Sequence, residues 1–181
     1  MKIKETPLKD CYILEPTIFE DERGYFFEKY NESTFEKATG LNGHFVQDNI
    51  SKSSYGVLRG VHLQKGKHAQ AKLVSCLEGK VWDVAVDLRK MSPTFGQWFG
   101  VELSAENKLQ LYVPRGFGHG FSVLSETAIF SYKCDNFYNK ESEGGVLYND
   151  EGLKIDWKLP ETDIILSEKD KIQLPFSKEN F

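Results

Sequence analysis

At 181 residues the chain suits one domain, residues 1–181, with enough material for a single core. Hydrophobic residues make up 40% and charged residues 28%, an ordinary globular balance, and the formal net charge of −4 argues against bulk nucleic-acid binding, which needs a basic field. A small anionic ligand stays open, because a few local cations suffice to hold one.

The N-terminal stretch MKIKETPLKDCYILEP has no apolar core of signal-peptide length. Nowhere does the chain approach the ~20 apolar residues of a membrane span. The expectation is a soluble, cytoplasmic protein with no membrane contact. Ser33-Thr34-Phe35-Glu36 has the form of a capping box and Gly40 that of a helix stop, which predicts one short helix over 34–39. Strand signals then dominate from Phe45 to Lys133. The segment from Gly56 to Ser75 reads as two strands carrying Arg59, His62, His68 and Lys72.

In VWDVAVDL (81–88), Trp82, Val84, Val86 and Leu88 fall on one face and Asp83, Ala85 and Asp87 on the other. The turn LEGK (77–80) precedes it and a loop around SPTFG (92–96) follows. Short strands continue at 97–103, 109–114, 119–124 and 127–133, with Ser125-Glu126 expected as a hairpin turn between the last two. Many short strands at this spacing predict an all-β, antiparallel sandwich or barrel. The tail from Gly152 onward reads as loops, with one helical turn starting at Ser167. The 13% aromatic content fits a β-rich core, or a stacking site for a base or sugar.

Cys11, Cys76 and Cys134 are odd in number and form no CxxC pair, so reduced thiols are expected rather than a disulfide framework or a structural zinc. His62 and His68 do not form an HxH pair, and no Glu follows at the spacing that metal-binding barrels use. No GxGxxG or Walker pattern is present, so a Rossmann cofactor and nucleotide hydrolysis are unsupported.

Five groups remain as candidates for chemistry. His62 can serve as a neutral base and Lys72 as the cation for a developing enolate; equally, the pair can be a wet or packed histidine and a solvated lysine. His119 lies between glycines in PRGFGHGF (114–121), at the start of a strand. Tyr132 is a weak acid suited to returning a proton to a carbanion, or a ring packed in the core. Asp170 in LSEKD can orient an imidazole, or it can cap a helix together with Ser167. Arg23 and Arg59, with the amides around Gln47-Asp48-Asn49, can clamp a diphosphate, or can be loop charges in water.

Taken together, QDNISKSSYGVLRGVHLQ (47–64), QAKLVSCLEGKVWDVAVDLRKMSPTFGQW (70–98), GVELSAENKLQLYVPRGFGHGFSVLSETAIFSYK (100–133) and IDWKL…ILSEKD (155–170) resemble the dTDP-4-dehydrorhamnose 3,5-epimerase family. The resemblance runs from about Arg23 to Asp170. It implies a homodimer of jelly-roll, cupin-like barrels using neither metal nor organic cofactor. The implied reaction converts dTDP-4-dehydro-6-deoxy-D-glucose to dTDP-4-dehydro-6-deoxy-L-mannose, the third step toward dTDP-L-rhamnose.

By the same resemblance His62 is the base, Asp170 its orienting partner, Lys72 the enolate-stabilising cation and Tyr132 the acid on the opposite face. Arg23, Phe26, Glu28, Gln47, Asp48, Asn49, Arg59, His119, Glu143 and Lys169, together with Lys72, match substrate-contacting positions, and Asp83 is a candidate to orient His119. The sequence departs from the family pattern at Leu63, Gly118 and Ser131, none of which handles protons. Three other readings stand beside this one: a mono-epimerase or isomerase of a related nucleotide-linked 4-keto-6-deoxysugar, a metal-dependent cupin oxygenase, and a non-catalytic sugar-binding barrel.

Overall fold

The segment 81–88 is apolar on one face and carries two aspartates on the other, and in the folded chain both faces are covered. Trp82, Val84, Val86 and Leu88 pack outward against the C-terminal segment, while Val81 and Ala85 face the space between two sheets. Asp83 and Asp87 lie on the inward side, fully buried and hydrogen-bonded. A strand covered on both faces shows no simple polar alternation, which is why this one is so apolar.

The computed structural model describes residues Met1–Phe181. In chain order the elements are β1 (Lys2–Glu5), β2 (Tyr12–Glu15), β3 (Ile18–Asp21), β4 (Gly24–Phe27), α1 (Glu32–Thr39), β5 (Gln47–Ser54) and β6 (Leu58–Gln64). There follow β7 (Lys72–Glu78), β8 (Lys80–Asp87), β9 (Trp98–Ser104), β10 (Gln110–Val113), β11 (Phe117–Val123), β12 (Thr127–Cys134), β13 (Glu143–Gly145) and α2 (Glu168–Lys171). A six-stranded sheet runs β1-β2-β10-β7-β12-β5, a five-stranded sheet runs β13-β6-β11-β8-β9, and β3-β4 form a separate hairpin. All strand pairs within the sheets are antiparallel, and the whole is a jelly roll.

The main core fills the gap between the sheets. Val74, Leu111, Ala128 and Phe130 from the first sheet meet Val81, Leu103, Phe121 and Val123 from the second. A second cluster covers the back of the second sheet with Val146, Leu153 and Trp157. A third packs Phe35 of α1 onto Leu14, Leu73 and Tyr112 of the first sheet.

Two local expectations need correction. Ser125-Glu126 does not close a hairpin: β11 pairs with β6 and β8, β12 pairs with β5 and β7, and residues 124–126 cross from one sheet to the other. The LEGK turn makes a similar crossing, and Gly79 has a φ of 73°, with the Thr127 carbonyl where a Cβ would sit. A tight corner between sheets uses the same residues as a hairpin turn, so local sequence does not separate the two. Helix α1 starts two residues before the predicted 34–39: Asn31, not Ser33, is the cap, its Oδ1 accepting from the Thr34 amide at 3.0 Å, while Gly40 closes the far end at φ 70°.

One irregularity positions the site. His119 lies opposite His62 and Phe121 opposite Arg59, so three steps along β6 match two along β11. This bulge puts Arg59 and His62, which an ordinary strand would point to opposite faces, on the same side. It is built on Gly60 (φ 137°), where an added Cβ would lie 2.5 Å from the Gly120 Cα.

Leu111 is completely buried between the sheets and Met91 is 96% exposed. Leu111→Ala is expected to lower unfolding free energy by about 2–5 kcal/mol in urea titrations, and Met91→Ala to change it by less than about 0.5 kcal/mol.

Candidate active site

Residues of both sheets and of the C-terminal segment line a cavity of about 430 Å³. The second sheet contributes Arg59, His62 and His119. The first contributes Ser51, Lys72, Phe130 and Tyr132. A third wall comes from the segment Ile165–Asp170. A smaller recess of about 140 Å³ adjoins it, sharing His62, Lys72, Tyr132 and Lys169 and adding Gln47, Asn49, Tyr138 and Glu143.

His62 Nε2 lies 2.5 Å from Asp170 Oδ1. The imidazole side chain is 31% exposed, while the carboxylate is almost completely buried. The second carboxylate oxygen accepts from Ser167 Oγ at 2.6 Å. Burial pushes the Asp170 carboxyl up, but hydrogen bonds from His62 and Ser167, the charge of His62 and the Gly60 amide outweigh it, leaving the group below the usual carboxylate range. An ionised Asp170 accepts from Nε2–H and leaves Nδ1 with a free lone pair, the arrangement a base requires. Ser167 also caps α2, its Oγ receiving the Asp170 amide at 3.3 Å. The two sequence readings of Asp170 therefore hold together: its amide belongs to the capped turn and its carboxylate to His62.

Lys72 begins β7 and reaches both the cavity and the recess. It is in no ion pair, and its Nζ lies 5.9 Å from the Tyr132 ring centroid. Burial lowers its pKa, opposed by Cys134 and Asp83. An ammonium with no resident counter-ion is available to an anion that forms in the cavity. On Tyr132, burial raises the phenol pKa further, with Cys134 adding to the rise, so the group stays protonated at neutral pH.

His119 is buried and shares its Nε2 between the carboxylate oxygens of Asp83 at 2.9 and 3.1 Å, as expected for an oriented ring. Arg59 donates through Nε to Ser53 Oγ at 3.2 Å, on the wall of the cavity. Gln47 and Asn49 are hydrogen-bonded to each other at 3.0 Å in the recess. Glu143 and Lys169 form an ion pair at 2.6 Å.

Four expected contact residues are not brought to the cavity within one chain. Asp48 alternates to the outer face of β5 and pairs with Lys133 at 2.7 Å. Arg23 sits at the tip of the β3–β4 hairpin, 85% exposed and paired with Asp21. Phe26 is 69% exposed on the same hairpin, and Glu28 accepts from Asn31 Nδ2 at 3.1 Å. Conversely, Tyr138, Ser51, Ile165 and Leu166 line the site without having been predicted there, and Ser167, expected only as a helix start, lines it too. Of the first four, only Tyr138 leaves a trace in the sequence, as the second of two adjacent aromatics in a loop, both exposed in the fold. No group of three or more His, Cys, Asp or Glu side chains converges to hold a metal ion.

Fold and side chains together describe a jelly-roll enzyme whose cavity has His62, bonded to Asp170, on one sheet and Tyr132 with Lys72 beside it on the other, side chains of the kinds that proton transfer uses. Comparisons with known proteins agree. The family model for dTDP-4-dehydrorhamnose 3,5-epimerase matches residues 5–178. The enzyme of that name from Salmonella typhimurium is 57% identical over 173 residues, covering 94% of this chain and 92% of its own. The crystal structure of dTDP-4-dehydrorhamnose 3,5-epimerase from Elizabethkingia anophelis superposes with a TM-score of 0.97 at 77% identity, covering 100% of this chain and 99% of that one. The Legionella pneumophila dTDP-6-deoxy-D-glucose-3,5-epimerase, solved in complex with dTDP-4-keto-L-rhamnose, superposes with a TM-score of 0.92 at 50% identity, covering 96% and 92%. The chain belongs to the dTDP-4-dehydrorhamnose 3,5-epimerase family and is an epimerase.

The Asp170 carboxyl gives a pH signature. Its folded pKa lies below the unfolded value of about 3.9, so its contribution to stability is complete above that value and fades as the pH falls through the folded one. Unfolding free energies of the native chain and of Asp170→Asn, compared from about pH 6 down to about pH 3, are expected to converge in acid. A gap that widens in acid is incompatible with the ion pair as the source.

Proposed function

We propose that this chain inverts carbons 3 and 5 of dTDP-4-dehydro-6-deoxy-D-glucose, giving dTDP-4-dehydro-6-deoxy-L-mannose on the route to dTDP-L-rhamnose. The observation that carries the reading is the arrangement of the proton-handling groups: His62 stands on the second sheet, Tyr132 on the first, and Lys72 beside Tyr132 in the same cavity.

The ketone at carbon 4 acidifies the hydrogens on its neighbours. His62 takes one of them, the C–H electron pair moves into the C–C bond, and the carbonyl pair moves onto oxygen. Lys72 holds that oxyanion, where a desolvated cation is worth most. The electron pair then returns to carbon and takes a proton from the Tyr132 phenol on the other face, which inverts the centre. The proton gained by His62 and the one lost by Tyr132 equilibrate with solvent, which resets the pair. Repetition at the second carbon needs the ring to turn while the nucleotide stays anchored. Arg59 is suited to the diphosphate by its charge, and the exposed face of Tyr138 beside the recess is suited to stack on the base.

The active unit we propose is a homodimer. Its support is the β3–β4 hairpin, which projects Phe19, Tyr25 and Phe26, each more than half exposed, and holds Arg23 and Phe26 away from the cavity of its own chain. A second copy whose hairpin reaches this cavity would bring those residues, with Glu28, to the substrate. The cytoplasm is the proposed compartment, where nucleotide sugars are made; no helix is long and apolar enough to cross a membrane.

Incubation with the 4-keto sugar nucleotide in heavy water is expected to place deuterium at carbons 3 and 5. Incorporation at carbon 3 alone makes the protein a mono-epimerase, and none at either carbon ends the epimerase reading. His62→Ala is expected to abolish exchange, and Tyr132→Phe to retain some exchange while impairing inversion at carbon 5.

The dimer has its own tests. Sedimentation is expected to give twice the chain mass at micromolar concentration, and Arg23→Ala to raise KM by roughly tenfold or more, the scale of one charge-assisted contact. A monomer with full activity excludes the shared site.

A further inference from the structure

Glu143 and Lys169 were expected as substrate contacts, yet in the fold they satisfy each other at 2.6 Å. Their position gives the pair a second role. Glu143 belongs to β13, which is bonded along β6 with Gly145 opposite His62. Lys169 belongs to α2, immediately before the residue that holds His62. Strand β6, strand β13 and helix α2 thus form a triangle: β13 joins β6 through backbone bonds, α2 joins β6 through His62–Asp170, and Glu143–Lys169 closes the third side.

That third side matters because it is the direct tie between the helix that carries Asp170 and the strand beside His62. Helix α2 is four residues long, too short to be stable by itself. Glu168 and Lys171 point into solvent, and Ile172 just beyond it is 80% exposed. Only Asp170 of the helix is buried. The segment before it is pinned to the body at Ile165, whose amide donates to the Gly56 carbonyl at 2.8 Å and whose carbonyl receives the Leu58 amide at 2.9 Å. Leu166 packs against the back of the second sheet, and beyond the helix the Leu174 carbonyl receives the Leu147 amide at 3.0 Å, so α2 is spanned between two anchored points. The Asp170 carboxylate itself is held by His62, Ser167 and the Gly60 amide, and the ion pair is the side-chain tie that joins α2 to β13.

We propose that the Glu143–Lys169 ion pair is a latch that holds α2 against β13 and so fixes Asp170, and through it the His62 ring, in the geometry for proton abstraction. Both are then positioning residues. The proposal rests on His62 acting as the base, and it assigns the pair an effect on turnover that a pure substrate anchor would not have. Lys169 is 47% exposed, so the latch works by geometry more than by energy, as exposed ion pairs contribute little to stability.

The test uses Glu143→Gln, Lys169→Met and the exchanged pair Glu143→Lys/Lys169→Glu in the full chain. Both single variants are expected to lose kcat by about threefold to fivefold, the most that a tie worth up to about 1 kcal/mol allows, with KM unchanged. The exchanged pair is expected to recover most of kcat, because it rebuilds the bridge with its charges reversed. Amide hydrogen exchange over 167–172 is expected to quicken in both single variants and to slow again in the exchanged pair.

A rise in KM at constant kcat overturns the latch and returns both residues to substrate binding. An exchanged pair no better than the singles also overturns it. The amide-exchange readout needs no substrate. If the native protein fails to incorporate deuterium, the epimerase reading fails, while the fastening of α2 by Glu143 is still decided by whether 167–172 loosens.

Discussion

Inversion at carbon requires that the proton leave from one face and return to the other, and the two side chains proposed for these steps stand on two different sheets. His62 stands on β6 and Tyr132 on β12, with the cavity between them. His62 is paired with Gly145 on one side and His119 on the other, and Tyr132 with Asn49 and Val74, so neither side chain depends on a mobile loop for its position. The apolar layer of Val74, Leu111, Phe121 and Phe130 keeps the sheets at a fixed separation, so the packing of the core is also the spacing of the catalytic groups. Phe130 makes the link directly: it stacks on Phe121 at 4.2 Å and on His119 at 6.0 Å, and it lines the cavity.

Electrostatics follow from the same walls. Two aspartates, Asp83 and Asp170, are buried near the cavity, and each is committed to a histidine. Neither is in an ion pair with Lys72, so the ammonium keeps its charge for the ligand. Burial lowers the Lys72 pKa and raises that of Tyr132, and the two shifts serve different ends. The lysine is made a stronger partner for an oxyanion because water does not screen it. The phenol is kept protonated until a carbanion of comparable basicity forms beside it.

Parts of this were legible in the sequence and parts were not, for physical reasons that differ residue by residue. The face assignment in 81–88 was readable because Trp82, Val84, Val86 and Leu88 alternate with two aspartates, Asp83 and Asp87. The four N-terminal strands were not, because each is only four residues long and three of them are mostly exposed, with charges among the apolar residues. The corner at 124–126 has the residues of a hairpin, and only the sheet to which each strand belongs tells the two apart. In the site, the bulge that turns Arg59 and His62 to one side is set by a cross-strand register no local pattern encodes. The 108-residue separation of His62 and Asp170 likewise left open whether Asp170 orients an imidazole or caps a helix, until the resemblance supplied its partner.

The double duty of the Ser167–Asp170 turn shows how a weak local signal becomes a catalytic part. A capping box organises backbone donors at the start of a helix, and here the Ser167 hydroxyl both receives the Asp170 amide and donates to the Asp170 carboxylate. That second bond takes up one carboxylate oxygen and leaves the other to His62. The turn therefore aims the carboxylate as well as starting the helix. The aim holds only as well as the turn itself is held. A four-residue helix at the end of a long irregular tail has no rigidity of its own, so its precision has to come from contacts with the sheet that carries the base. Strand β13 supplies that contact from the edge of the sheet beside β6, which places the anchoring carboxylate of Glu143 on the same sheet as His62.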